Sequence, residues 1–122
     1  MTKVKAYINK GKLIKIEIEG HAGFAKKGYD IICCSISTSI QLLHRQLQEY
    51  SNIKRYTHLF EAVVDEQKAY YSIELKRADK TAISLMKTTL IWLKDLEKMY
   101  PIYILTKEVN INDSRKYELA NQ

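Results

Sequence analysis

The sequence predicts an α+β fold in which a mixed or antiparallel sheet packs with two long helices, in the order ββαββαβ. Three observations support this prediction. Apolar and polar residues alternate in five short segments, apolar residues recur every three or four positions in two longer ones, and Gly, Asp or Pro mark the boundaries. The length of 122 residues predicts one domain over 1–122, with a polar tail from about residue 110.

The strands are predicted from period-two alternation. Residues 4–8 and 14–18 alternate on either side of a turn that contains Gly11, which is typical of a β-hairpin with one buried face. Ile14, Ile16 and Ile18 are expected on that face. Residues 58–64 and 69–75 predict a second pair of strands, and residues 102–109 predict the last strand.

The helices are predicted from their apolar spacing and their boundary residues. Residues 31–50 carry isoleucine and leucine at spacings of three and four, and Asp30 can cap the start. Asp79 can cap a second helix that ends at Tyr100, because Pro101 cannot continue it.

The charge and the cysteines indicate the class of protein and its compartment. The net charge is +6, and the lysines and arginines are spread along the chain, which is typical of a solvated surface and also favours proximity to RNA. Cys33 and Cys34 are adjacent and cannot staple distant segments, so a reducing compartment fits. We find no signal peptide and no apolar run of membrane-spanning length, and we expect a cytoplasmic protein without membrane contact.

Residues 20–30 interrupt the pattern and form a long loop with three of the four glycines, and long loops are often functional. Cys33 would be the third residue of the first helix, where the helix dipole and unpaired N–H groups favour the nucleophilic thiolate. His21 begins the loop and could fold back to serve as the base. A cysteine and a histidine suffice for acyl transfer, and the helix N–H groups could stabilise the oxyanion.

Other interpretations of these residues stay open at this point. Cys33 could be a small core residue, His21 a surface residue and Asp30 only a helix cap. A zinc site formed by His21, Cys33, Cys34 and His44 is disfavoured because adjacent cysteines ligate one tetrahedral metal poorly. A non-enzymatic ribosome- or RNA-binding module is the second alternative, although no RNA-binding signature is visible.

The order of the residues favours the protease interpretation. Residues Gly20–Ala22, followed by Gly28–Cys33, resemble the motif of the ribosomal-processing cysteine protease family, Prp, and the predicted elements match that family over nearly the whole chain. The resemblance implies a homodimeric peptidase, without metal or cofactor, that removes the N-terminal extension of a bacterial large-subunit ribosomal protein after an aromatic residue.

By motif position, the resemblance makes His21 the base and Cys33 the nucleophile, with Asp30 in a supporting role. The loop and substrate-binding residues that it implies are Gly20, Ala22, Gly23, Gly28 and Cys34. Cys34 stands where the family often has alanine, and the loop interior at residues 24–27 is unusually basic. We expect residues 23–28 to be mobile in the free protein and ordered by substrate.

Overall fold

The computed structural model describes residues 1–23 and 30–111. It has the elements β1 (Thr2–Asn9), β2 (Lys12–Glu19), α1 (Ile31–Lys54), β3 (Phe60–Asp65), β4 (Tyr70–Leu75), α2 (Lys80–Met99) and β5 (Ile104–Ile111). The predicted order ββαββαβ is confirmed. The strands form one mixed sheet in the order β3-β4-β2-β1-β5, in which only the β1–β5 pair of the described strands is parallel.

The β1–β2 hairpin forms where the alternation predicts it. Lys10 and Gly11 both have positive φ, at 52° and 78°, which is the backbone of the tight turns that suit the twist of paired strands. After the turn the register with β1 shifts at a β-bulge: Ile8 pairs with Leu13 and Tyr7 with Lys15, so Ile14 is the extra residue. The expectation that Ile14 shares the buried face of Ile16 is therefore wrong: Leu13 joins the main core, and Ile14 is buried in a separate small cluster.

Both helices bury their predicted apolar stripes against the same core. α1 contributes Ile32, Ile36, Ile40, Leu43 and Leu47 to it. α2 contributes residues including Ile83, Met86, Leu90 and Leu93, and the core also contains one side of the sheet. Both helices therefore form one layer on the same face of the sheet. Successive strand residues point to opposite faces, so the other face carries mainly polar side chains.

Several predicted boundaries shift by a few residues. α1 continues past Tyr50 to Lys54 and ends at Arg55, which takes the left-handed conformation with φ 58°. β3 begins at Phe60 rather than residue 58, and β5 begins at Ile104, because a turn in which Tyr103 N–H bonds the Tyr100 carbonyl follows α2.

The predicted polar tail begins too early. Asn110 and Ile111 still belong to β5, because the parallel register with β1 continues to the pair Asn9 and Ile111. Residues from 112 onward lie outside the described residues, so the rest of the predicted tail is untested. In the described part of the chain, neither helix is long and apolar enough to cross a bilayer.

Candidate active site

A cleft of about 450 Å³ opens between the start of α1, the end of β2 and the β3–β4 turn. His21 and Cys33 both line it, so the fold brings the two predicted catalytic residues to one cavity. The volume lies within the range of small-molecule and peptide pockets. The predicted pair of His21 and Cys33 therefore faces a cavity large enough for part of a peptide.

Asp30 is the N-cap of α1, as predicted. Its backbone is extended, the residue is 8% exposed, and Oδ1 accepts a hydrogen bond from the Cys33 N–H at 2.9 Å. The Cys34 N–H donates to the Asp30 carbonyl at 3.0 Å as the first bond of the helix. Cys33 is consequently the third helical residue, and its backbone is held at the positive end of the helix dipole.

The sulfur of Cys33 accepts a hydrogen bond from the backbone N–H of Ala22 at 3.2 Å. Cys33 is half-buried, Ala22 is 2% exposed, and both cysteines are free thiols. A backbone N–H donor stabilises a sulfur anion more than a neutral thiol. The segment after β2 therefore contacts the thiol directly, and this contact joins the two halves of the sequence motif.

The other predicted loop residues occupy different positions. Gly20 lines the cleft with φ 90°, and Gly23 is exposed with φ 80°. Cys34 is exposed on α1 and is not among the described residues that line the cleft. Residues 24–29 lie outside the described residues. The role of Gly28 and the movement of residues 23–28 therefore stay predictions.

The α1 wall of the cleft contains two polar residues that sequence reasoning did not select. Ser37 and Gln41 line the cavity one and two helical turns after Cys33, and the Gln41 side-chain amide donates to the Ser37 hydroxyl at 2.9 Å. The neighbouring hydroxyls of Ser35, Thr38 and Ser39 bond backbone carbonyls of the same helix. The spacing of four residues from Cys33 was the available signal for Ser37.

The opposite wall contains Tyr70 and Tyr71, which the sequence analysis did not select. Burial raises the pKa of Tyr71, and its hydroxyl lies 2.5 Å from Nδ1 of His44. Burial and a hydrogen bond to Glu17, at 2.7 Å, raise the pKa of Tyr70. Both phenols therefore stay protonated at neutral pH, and both residues line the cleft.

The zinc alternative has no site in the described residues. His44 contacts the ring of Phe60 edge-on at 5.3 Å between centroids and pairs with Tyr71. Across residues 1–23 and 30–111, no group of three histidine, cysteine, aspartate or glutamate side chains could hold a metal ion.

A cap-held cysteine, a histidine in the same cleft and a backbone donor at the sulfur are features of a cysteine peptidase site. The family model described as cysteine protease Prp matches residues 1–105. The chain belongs to this family and is a cysteine protease, so the alternative of a non-enzymatic module is wrong.

Solved structures share the fold. Prp from S. aureus, described as an essential ribosomal processing protease, in complex with a covalently linked product peptide, matches with TM-score 0.77 and 21% identity over 89% of this chain and 100% of that chain. SMU.848 from Streptococcus mutans matches with TM-score 0.76 and 24% identity over 91% and 96%. S. aureus Prp with a substrate peptide matches with TM-score 0.73 and 21% identity over 89% and 100%. Comparison with curated protein sequences returned no match.

Proposed function

We propose that this protease removes the N-terminal extension of a bacterial large-subunit ribosomal protein, with Cys33 as nucleophile and His21 as base. The observation that carries the proposal is the hydrogen bond from Ala22 N–H to the Cys33 sulfur, beside a histidine that lines the same cleft. The two S. aureus Prp structures that contain peptides support a peptide substrate and the ribosomal assignment.

The proposed reaction is an acyl transfer in two halves. His21 accepts the proton of Cys33, and the thiolate attacks the scissile carbonyl carbon to form a tetrahedral oxyanion. The oxyanion collapses to a thioester as the C–N bond breaks, and the imidazolium returns its proton to the leaving amine. Water, deprotonated by His21, then attacks the thioester, releasing the carboxyl product and restoring the thiol.

Asp30 would support this chemistry through the backbone. Its bond to the Cys33 N–H holds the nucleophile at the helix start but also occupies that N–H, so Cys33 cannot offer it to the oxyanion. The N–H groups of Ile31 and Ile32 precede the first intrahelical bond and are the helix donors that we assign to the oxyanion.

The cleft suits a peptide with a large apolar side chain. Ile18, Ile36 and Val64 give it apolar walls, and Val64 is more than half exposed at the edge strand β3. An aromatic side chain next to the scissile bond would bury apolar surface there, in agreement with the cleavage after an aromatic residue that the family resemblance implies.

The remaining assignments follow the family resemblance. Gly20, Ala22, Gly23 and Gly28 would shape the loop over the substrate, with Cys34 beside the nucleophile. The protease would act in the cytoplasm as a homodimer without metal or cofactor. The net charge of +6 would favour encounters with RNA-rich particles that hold the substrate.

Incubation with the extended ribosomal protein from the same source, followed by mass spectrometry of the products, tests the proposal. We expect one cut after an aromatic residue by the wild type and the C34A variant, and none by C33A. An intact substrate with the wild type would contradict the ribosomal assignment, whereas cleavage by C33A would contradict the choice of nucleophile.

A further inference from the structure

We propose that Thr2 is a positioning residue: its hydroxyl fixes the Gly20 carbonyl and thereby sets where His21 and the Ala22 N–H stand relative to Cys33. The hydroxyl donates to the Gly20 carbonyl at 3.0 Å. This inference rests on the proposed function for its catalytic consequence, although its effect on the thiol can be measured without a substrate.

Thr2 is buried, and its hydroxyl bonds the Gly20 carbonyl. Thr2 is 1% exposed, it lines the cleft, and its backbone N–H is held by the Tyr103 carbonyl at 2.9 Å where β1 meets β5. The next residues on the same face of β1, Val4 and Ala6, are apolar core residues. Valine at position 2 would fill the same volume, so packing alone does not require the hydroxyl.

Gly20 is held from both sides. Its N–H donates to the Ala69 carbonyl at 2.9 Å, while its carbonyl accepts from Thr2. Its φ of 90° favours glycine, and a Cβ at this position would lie 2.9 Å from the Met1 carbonyl oxygen. The chain therefore leaves β2 in a direction set by two hydrogen bonds and by a close backbone approach that a side chain would obstruct.

The segment that starts at Gly20 contacts the Cys33 thiol two residues later, at Ala22. Ala22 is buried, and its N–H bonds the Cys33 sulfur at 3.2 Å. His21 thus lies between an anchor at Gly20 and an anchor at the sulfur. Without the Thr2 hydroxyl, the peptide plane between Gly20 and His21 is free to rotate, which moves both the imidazole and the Ala22 donor. Misplacement of catalytic groups by about 1 Å can lower a rate by about a hundredfold.

The test uses T2V, T2S and a matched control, T89V. Thr89 is also a buried threonine whose hydroxyl bonds a backbone carbonyl, that of Leu85 at 3.1 Å, but it lies in α2 and does not line the cleft. The readouts are kcat and KM for cleavage of the ribosomal precursor, the rate of Cys33 alkylation by iodoacetamide at several pH values, and the thermal midpoint of each variant.

We expect T2V to lower kcat by about tenfold to a hundredfold with little change in KM, and to slow Cys33 alkylation near neutral pH by severalfold. T2S should recover both values, because it restores the donor, and T89V should match the wild type in both. The inference is overturned if T2V keeps wild-type kcat and alkylation, if T2S fails to recover them in a folded protein, or if T89V shows equal losses. If the wild type cleaves no ribosomal precursor but T2V still slows alkylation and T2S restores it, the proposed substrate fails and the positioning role stands.

Discussion

The two helices begin in the same way and serve different ends. Each follows an aspartate N-cap with an extended backbone, and each carboxylate accepts a hydrogen bond from the N–H three residues later: Cys33 at 2.9 Å for Asp30, and Ala82 at 3.0 Å for Asp79. At the start of α1 the third residue lines an open cleft, whereas at the start of α2 it is a fully buried alanine.

The second carboxylate oxygen distinguishes the cap of α2. It accepts hydrogen bonds from the hydroxyls of Tyr50 and Tyr56, at 2.8 and 3.0 Å, and the Arg77 guanidinium lies 4.0 Å from the centroid of the Tyr56 ring. Asp79 thereby ties the end of α1 to the start of α2. The aspartate cap is thus the same local structure in both helices. The surrounding side chains determine whether the third helical residue lines a cleft or packs in the core.

Replacing the proposed nucleophile is the most severe test of this comparison. C33A should reduce cleavage to background while the circular dichroism spectrum is unchanged, because alanine keeps the helix start but provides no thiolate. The matched control is the double variant C33A/A82C, which places a cysteine at the equivalent position of α2. We expect this double variant to be as inactive as C33A, because position 82 is buried. Cleavage at a near wild-type rate by C33A would mean that Cys33 is not the nucleophile, and Cys34, the next residue of α1, would then be tested in its place.

Removing the proposed base should have the next largest effect. H21A should lower kcat by about 10²–10⁴-fold, because the thiol loses its proton acceptor and the leaving amine loses its donor. H58A is the control, since His58 lies at the surface beside Glu61. A loss of only a few-fold for H21A would make His21 a structural residue of the loop.

The two caps should differ in their cost to stability. D79A should lower the free energy of unfolding by about 2–3 kcal/mol, because it removes a cap and two phenol hydrogen bonds, and D30A by about 1 kcal/mol. Cleavage should show the opposite order, with D30A the more impaired at a temperature where both variants are folded. Urea unfolding and activity assays check both parts, and equal losses in both assays would remove the distinction between the caps.

The two adjacent thiols should react at different rates. Cys33 should be alkylated by iodoacetamide about tenfold faster than Cys34 near neutral pH, because the Ala22 N–H bonds its sulfur and its backbone lies at the positive end of the helix dipole. Exposure alone predicts the reverse, since Cys34 is the more exposed. Peptide mapping after brief labelling separates the two, and preferential labelling of Cys34 would contradict the electrostatic argument.

Acid should weaken the α2 cap by a small amount. Burial of Asp79 raises its pKa, but hydrogen bonds from Ala82, Tyr50 and Tyr56 outweigh this and hold the pKa below the ordinary value of 3.8. The stabilisation from the ionised group is therefore complete above about pH 4 and is lost as the pH falls through the lowered pKa. Urea unfolding should show a difference between wild type and D79N that shrinks from pH 6 to pH 3, and a constant difference would contradict this cause.

The sequence alone determined the features that depend on neighbouring residues. Period-two and helical spacings predicted every described element in its order, because burial of one face imposes a period on each segment. Asp30 and Asp79 were identified as caps because capping requires only a short side chain beside the N–H groups that follow it. The motif residues His21 and Cys33 were found from their identity and their positions at the two ends of one loop.

Only the tertiary structure decided which residues meet across the fold. Thr2 and Tyr71 line the cleft because β1, β4 and α1 converge there, and no local pattern in either strand encodes that meeting. The bulge that moves Ile14 to a separate cluster and the extension of β5 to Ile111 likewise depend on strand register. Register is a relation between segments distant in sequence, and it is fixed by the packing of the whole sheet, so single-segment periodicity cannot contain it.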